Sequence, residues 1–315
     1  MTKLDYRALV HTPADLASEH LHWAERIQAE DGIKFGIPDI DKKVIPMRPG
    51  EEIAIIARPG HGKTSILAYL ARNTARALPP AGPQVVVYVT WEQSAEELEA
   101  FFQADGKFSI TDIAWGRVDL DEVKRRSVKR AGLPIWVIGH GIGRAGQKMP
   151  RMTPDVVLGA IESMREDYGV TPALMLFDYM QLVPVEHARD RIQQVTEVPI
   201  RIKELALRIG APAVVGVQAR REVDDRDIKI PELRDAQWAS SIEQTCDKVF
   251  ALWRPYQTEI AGSRVQVGND FFIVNESLMI FRMLKQRGDA GRYTWGMHFD
   301  PAFLRLGTLE KRTPL

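Results

Sequence analysis

The sequence predicts an α/β domain with a mainly parallel central sheet, helices on both of its faces, and antiparallel strands towards the C-terminus. Three observations predict it. Short apolar runs alternate with segments whose apolar residues recur at helical spacing. Those runs lack a polar alternate, as strands buried on both faces do. The first of them passes directly into a glycine-containing turn and then into a helix pattern through Ile66, Leu67, Tyr69 and Leu70.

Residues 1–30 read as a helical appendage and 31–315 as the main domain. Thr12-Pro13 supplies an N-cap and a first-turn proline, with Asp15 in that turn. Leu16, His20, Trp23 and Ile27 follow at helical spacing, so this helix either packs on its own domain or docks on a neighbouring subunit. Residues 31–50 are turn-rich and lead into a strand at Ile53–Ile56. Gln84–Thr90 is a second strand, and Ser94 with Glu97 is a capping box that opens a helix. A third strand spans Leu133–Ile138. A basic, glycine-rich loop follows at Gly139–Arg151, and Thr153-Pro154 caps the next helix. The fourth strand, Ala173–Phe177, ends at Asp178. Val198, Ile202, Leu205 and Ile209 mark one helix face, and Pro212–Val217 is the fifth strand. Asp247–Trp253, Leu278–Leu284 and Tyr293–Phe299 complete the set.

The first strand leads into Ala57-Arg58-Pro59-Gly60-His61-Gly62-Lys63-Thr64-Ser65. This is the phosphate cradle of P-loop nucleotide hydrolases, with Ala57 where the usual pattern has glycine. Gly60 and Gly62 let backbone N–H groups turn towards phosphate oxygens, and the following helix adds its positive end. Lys63 would reach the β- and γ-phosphates of a nucleotide, and the Thr64 hydroxyl would hold Mg²⁺.

Ligands of such sheets bind beyond the carboxyl ends of the strands, which makes the polar residues there site candidates. Asp178 is a carboxylate at a buried strand end, suited to hold Mg²⁺ through water. Glu92 is placed to orient and deprotonate an attacking water. Gln218 offers a neutral amide that can bond the γ-phosphate and register its loss. On residues alone, Asp178 could instead cap a helix, Glu92 could favour a helix start, and Gln218 could be an ordinary polar strand end.

Composition narrows the partners. Lys+Arg and Asp+Glu are both 42, so no global basic field announces nucleic acid, and any such contact is local or assembled from several copies. The single cysteine, Cys246, excludes an internal disulfide and fits a reducing cytoplasm. No apolar signal core and no run of about 18 apolar residues is present, so a membrane role is not expected.

In chain order, residues 57–64, Thr90-Trp-Glu-Gln-Ser-Ala-Glu-Glu-Leu98, Phe177-Asp-Tyr-Met-Gln-Leu182, Gln218, Ser241-Ile-Glu-Gln244 and Lys285-Gln-Arg-Gly288 form a series. It resembles the C-terminal motor domain of DnaB-type replicative helicases, which has a RecA-like core, over roughly residues 30–300. The resemblance implies a ring, usually hexameric, with ATP between subunits and single-stranded DNA in a central channel. It makes Lys63 and Thr64 the phosphate and Mg²⁺ ligands, Glu92 the general base, Asp178 a Mg²⁺ carboxylate and Gln218 a sensor. It projects Lys285 and Arg287 to the γ-phosphate of the next subunit; on spacing alone both could sit on a solvated hairpin end. It also turns the loops after the Asp178 and Gln218 strands towards the channel, where Arg189, Arg191, Arg220, Arg221, Arg226, Lys229 and Arg234 would grip DNA phosphates without reading bases. Interleaved Asp190, Asp224, Asp225 and Asp227 make a salt-bridged loop an alternative.

The chain departs from the family's pattern in several places. The family's N-terminal collar domain, which contacts primase, has no expected place here, and residues 139–152, 236–239 and 255–277 look expanded. An ATP-dependent DNA-binding ring that does not unwind duplex (a loader, mobile-element or defence component) therefore stands beside the helicase, with a loader or primase as a possible partner.

Overall fold

The computed structural model describes residues 10–29, 32–104, 108–144, 146–147, 150–184, 191–237, 239–289 and 291–308. The helices among them are α1 (Pro13–Gln28), α2 (Pro38–Asp41), α3 (Lys63–Ala77), α4 (Ala95–Gln103), α5 (Ile110–Ala114), α6 (Leu120–Ala131), α7 (Pro154–Tyr168), α8 (Arg191–Ile209) and α9 (Ala239–Thr245). The strands are β1 (Glu52–Ala57), β2 (Gln84–Thr90), β3 (Ile135–Ile138), β4 (Thr171–Asp178), β5 (Ala213–Gln218), β6 (Lys248–Trp253), β7 (Arg264–Val267), β8 (Asp270–Ile273), β9 (Leu278–Gln286), β10 (Thr294–Asp300) and β11 (Arg305–Thr308).

The main sheet runs β11-β10-β9-β6-β1-β5-β4-β2-β3. The six strands from β6 to β3 are parallel. From β9 onward the added strands alternate in direction. The expected RecA-like arrangement, with antiparallel strands at the C-terminal end, is therefore the one present. β1 lies at the centre and is buried along its whole length. Its side chains alternate between two cores. Ile53, Ile55 and Ala57 join α3 residues such as Leu67 and Leu70 on one face, while Ala54 and Ile56 join Val157 of α7 and Ile202 of α8 on the other. A continuous apolar run is what two covered faces require.

Three local features were invisible to apolar periodicity. The β7–β8 hairpin forms its own small sheet within the expanded 255–277 stretch. β11 pairs at the sheet edge with β10. Helix α6 has no buried residue at all. It is held by the Asp119 cap and by ion pairs of Lys124 with Asp121 and of Arg125 and Arg126 with Glu122. A helix stabilised by caps and charge pairs leaves no apolar stripe to detect.

Helix α1 has the Thr12 cap and the Asp15 partner that its sequence implies, with Asp15 N–H donating to the Thr12 hydroxyl. None of its residues is buried, and Trp23 is 54 % exposed. Of the two readings of this helix, packing on its own domain finds no support here, since none of its apolar residues enters a core.

Candidate active site

The phosphate cradle begins where β1 ends. Gly60 and Gly62 have φ of 78° and 98°, in the left-handed region that side chains disfavour. At Gly62 a Cβ would also come within 3.0 Å of Met279 Cε. Ala57 needs no such freedom. It is an extended residue of β1, paired with Gln218 on one side and Leu252 on the other, so alanine serves where the motif has glycine. Helix α3 starts at Lys63 without a side-chain cap, which leaves its first N–H groups available to an anion.

The side chains of the loop divide in role. His61 is buried, and its Nδ1 accepts the Arg254 N–H at 3.0 Å, tying the loop to the end of β6. Burial pushes its pKa down to about 4, so the ring is neutral, as an accepting Nδ1 requires. Arg58 turns its guanidinium to Asp224 at 2.8 Å and to the Ala219 carbonyl at 3.0 Å. It therefore offers the cradle main chain and braces the loop after β5 with its side chain. Pro59 and Gly60 are exposed at the tip, and Thr64 and Ser65 are half-buried in the first turn of α3.

Lys63 donates to the carbonyls of Ala57 and Arg58, at 3.3 and 3.4 Å, and lies 5.9 Å from the centre of the Tyr179 ring. Burial lowers its pKa to about 8, although Asp178 and Glu92 pull the other way. An ammonium so poorly solvated gains from an arriving phosphate.

Asp178, at the end of β4, is 1 % exposed. Burial raises its pKa, while bonds from Thr64 and Tyr88 oppose the rise, the Tyr88 hydroxyl donating to Oδ2 at 2.9 Å. Among the described residues its Oδ1 is buried without a well-formed hydrogen bond. A Cβ on Gly216 would lie 3.7 Å from that oxygen, so the glycine keeps the space beside it open. A hard oxygen so placed, next to a threonine hydroxyl, suits Mg²⁺ held directly by Thr64 and through water by Asp178.

Glu92 lies just past β2, whose last residue Thr90 is paired with Asp178. It is exposed and close enough to bias the protonation of both Lys63 and Asp178. Gln218 closes β5 directly beside Ala57. Lys63, Thr64, Glu92, Asp178 and Gln218 thus share one rim of the sheet.

Lys285 and Arg287 stand at the opposite rim. β9 runs antiparallel to β6 and pairs Gln286 with Lys248, which is level with Ile53 at the start of β1. From Ile53 to Ala57 the strand climbs about 13 Å, so neither side chain approaches the cradle of its own subunit. The two differ in freedom. Lys285 Nζ donates to the Glu243 and Cys246 carbonyls, both at 2.6 Å, closing the C-terminal end of α9. Arg287 is exposed and pairs with Asp247 at 3.0 Å.

The candidate DNA residues separate as well. Arg189 lies outside the described residues, and Arg191 is the first residue of α8. Arg226 forms a fork with Asp235 at 2.5 and 2.7 Å, Lys229 pairs with Glu259, and Arg234 pairs with Glu232. Arg220 and Arg221 are exposed and make no ion pair among the described residues.

Tyr88, Glu52, Lys203 and Asp247 were missed by sequence reasoning. Tyr88 was marked by being the one hydroxyl inside an otherwise aliphatic run. Asp247 was marked by standing immediately before an apolar strand.

Residues 32–305 match the family described as DnaB-like helicase C terminal domain. A replicative DNA helicase DnaB of Mycoplasma genitalium is 25 % identical over 228 residues, which is 71 % of this chain and 46 % of that protein. The chain spans about half the length of the curated relatives it matches. A solved structure described as an ATPase domain superposes with a TM-score of 0.75 at 19 % identity, covering 94 % of this chain and 99 % of the other. A second, "The Structure Of A DnaB-Like Replicative Helicase And Its Interactions With Primase", gives 0.73 at 19 % identity, over 92 % and 67 %. At such identities the likeness concerns the fold.

Proposed function

The chain belongs to the DnaB-like helicase C-terminal domain family, and from that premise we propose that it is an ATP-hydrolysing motor that assembles as a ring, a hexamer in this reading, and moves on single-stranded DNA. Residues 31–315 are the ATPase domain and 1–30 the linker. The observation that carries the reading is the separation of the two rims: the phosphate cradle lies at one, and Arg287 lies at the other, beyond reach of it. Joined side by side, copies of the chain would bring the two together.

In this mechanism Lys63 and the N-terminus of α3 hold the β- and γ-phosphates of ATP. Thr64 and Asp178 would hold Mg²⁺, which would supply charge neutralisation on the phosphate oxygens. The Glu92 carboxylate takes the proton of the attacking water. Arg287 of the neighbouring copy meets the charge that builds on the transferred group, a contribution on the order of 10³–10⁵ in rate for known arginine fingers. Gln218 bonds the terminal phosphate, and β5 carries its loss to the loop bearing Arg220 and Arg221. A primase partner follows by analogy with the DnaB-like helicase whose structure names one. No helix among the described residues is long and apolar enough to cross a membrane, and the cytoplasm is the compartment this reading assigns.

Glu92→Gln tests it. The variant is expected to bind ATP and assemble while losing turnover, and undiminished ATPase activity would refute the assignment. Displacement of a strand from a forked duplex distinguishes a helicase from a ring that only translocates.

A further inference from the structure

Three separate elements converge on Asp247, the residue before β6: the start of β1, helix α8 and the turn after β9. Its side chain is 6 % exposed, whereas that of Arg287 is 65 % exposed. Oδ2 accepts the Glu52 N–H at 2.9 Å and the Lys203 ammonium at 2.6 Å. Oδ1 faces Arg287 Nη1 at 3.0 Å. The Asp247 carbonyl accepts the Arg287 N–H at 2.9 Å, and its own N–H donates to the Glu52 carbonyl at 2.8 Å. One buried residue is thus locked to β1 and α8 and holds both the backbone and the guanidinium of an otherwise solvent-facing arginine.

We infer that Asp247 is a positioning residue that presets Arg287 for the phosphate of the neighbouring copy. The inference rests on the reading of Arg287 as a finger in trans. A free arginine carries rotamer entropy that it loses on docking. Fixing one edge of the guanidinium in advance removes part of that loss and aims the remaining N–H donors outward. Lys203 supplies a second cation to the same carboxylate, so Asp247 orients Arg287 without cancelling the positive charge shown to the neighbour. The main chain of Arg287 is held as well, which fixes the origin of the side chain and not only its end.

The test is a mutant cycle on oligo-dT-stimulated ATPase activity, with thermal unfolding followed in parallel. Asp247→Asn is expected to lower kcat roughly 10–100-fold, the scale of a small misplacement of a reacting group, with KM for ATP nearly unchanged. Because both residues act through one guanidinium, the double variant Asp247→Asn/Arg287→Ala is expected to match Arg287→Ala alone. Mixing Asp247→Asn subunits with Lys63→Ala subunits, whose fingers are intact, is expected to restore turnover at the Asp247→Asn cradles. Fully multiplicative losses in the double variant, or no rescue in mixtures, would overturn the proposal. Asp247→Glu, which keeps the charge but shifts the carboxylate by one methylene, replaces the asparagine variant where that one does not fold. It is expected to show a kcat loss of the same kind, and wild-type kcat there overturns the proposal equally. If Arg287→Ala itself retains full kcat, the finger reading fails. If Arg287→Ala is slow and Asp247→Asn is not, only the positioning role fails.

Discussion

At the rim where the parallel strands end, Asp178 Oδ1 is buried without a well-formed hydrogen bond among the described residues, and Lys63 donates to two distant carbonyls. At the rim where they begin, Asp247 is bonded on both oxygens and Lys285 is held by two carbonyls. Both rims belong to one sheet. The cradle leaves Asp178 Oδ1 and Lys63 short of partners, whereas the network centred on Asp247 pairs its charged members and leaves the neighbouring Glu52 carboxyl without a well-formed hydrogen bond. Unsatisfied buried groups cost free energy, which a ligand that completes them recovers. A paired network is rigid, which in the proposed ring suits a side chain presented to a neighbouring copy.

The difference is broken most directly at the open rim. Lys63→Ala removes the cation that the cradle is built to offer, and ATP turnover is expected to fall by on the order of 10³ or more. Thermal stability should be unchanged or higher, because a poorly solvated ammonium has gone. A variant that hydrolyses ATP at near wild-type rate would mean that the cradle is not the catalytic site.

Asp178→Asn comes next. It keeps the shape and still lets Tyr88 donate, but removes the charge offered to Mg²⁺. A kcat loss of roughly 100-fold and a raised Mg²⁺ requirement are expected, both read from ATPase rates across a Mg²⁺ titration. Tyr88→Phe should give a smaller loss in the same direction. An unaltered Mg²⁺ dependence in Asp178→Asn would show that this oxygen has no part in holding the metal.

These residues were legible because of where they stand in the chain. Lys63, Glu92, Asp178 and Gln218 each follow an apolar run, and in a parallel sheet every such run ends at the same rim. Nothing comparable marks the other rim. The meeting of Asp247 with Glu52, Lys203 and Arg287 depends on β6 lying beside β1, on β9 running against β6, and on α8 lying across β1. Those are facts of topology between residues far apart in the chain, and periodicity carries no record of them. For the same reason the sequence treated Lys285 and Arg287 as equivalents. Only the carbonyls of α9 separate a held lysine from a presented arginine. The cations after β5 show the converse: Arg226 and Arg234 look available in sequence and are paired in space, with Asp235 and Glu232.

That sorting yields a finer prediction. Arg220→Ala/Arg221→Ala is expected to weaken binding to oligo-dT by a few-fold to tenfold and to reduce the salt dependence of binding by about one to two phosphate contacts. Arg234→Ala should do less, because Glu232 already neutralises it. Fluorescence anisotropy over a salt series measures both. Equal effects from all three sites would mean that ion pairing does not decide which cations face DNA.

The smallest effect concerns Glu52, which supplies the N–H that Asp247 accepts. Its own carboxyl oxygens are buried without a well-formed hydrogen bond, facing Thr245 and Cys246. Burial lifts its pKa from 4.5 to about 8, with Asp247 adding to the rise and Lys203 opposing it. Below pH 4.5 the folded and unfolded chains both carry this proton. Between 4.5 and 8 only the folded chain keeps it, so stability declines as pH rises, by at most about 1.4 kcal/mol per pH unit. Above 8 the loss is complete. Glu52→Gln stays neutral throughout and lacks this slope. Its melting temperature is therefore expected to match wild type near pH 5 and to exceed it increasingly towards pH 8, in scans where every other titrating group is common to both proteins. A difference independent of pH would mean that Glu52 is ionised in the folded chain and paired with Lys203. The rim that begins the sheet would then balance its charges by a second ion pair instead of by keeping one carboxyl neutral.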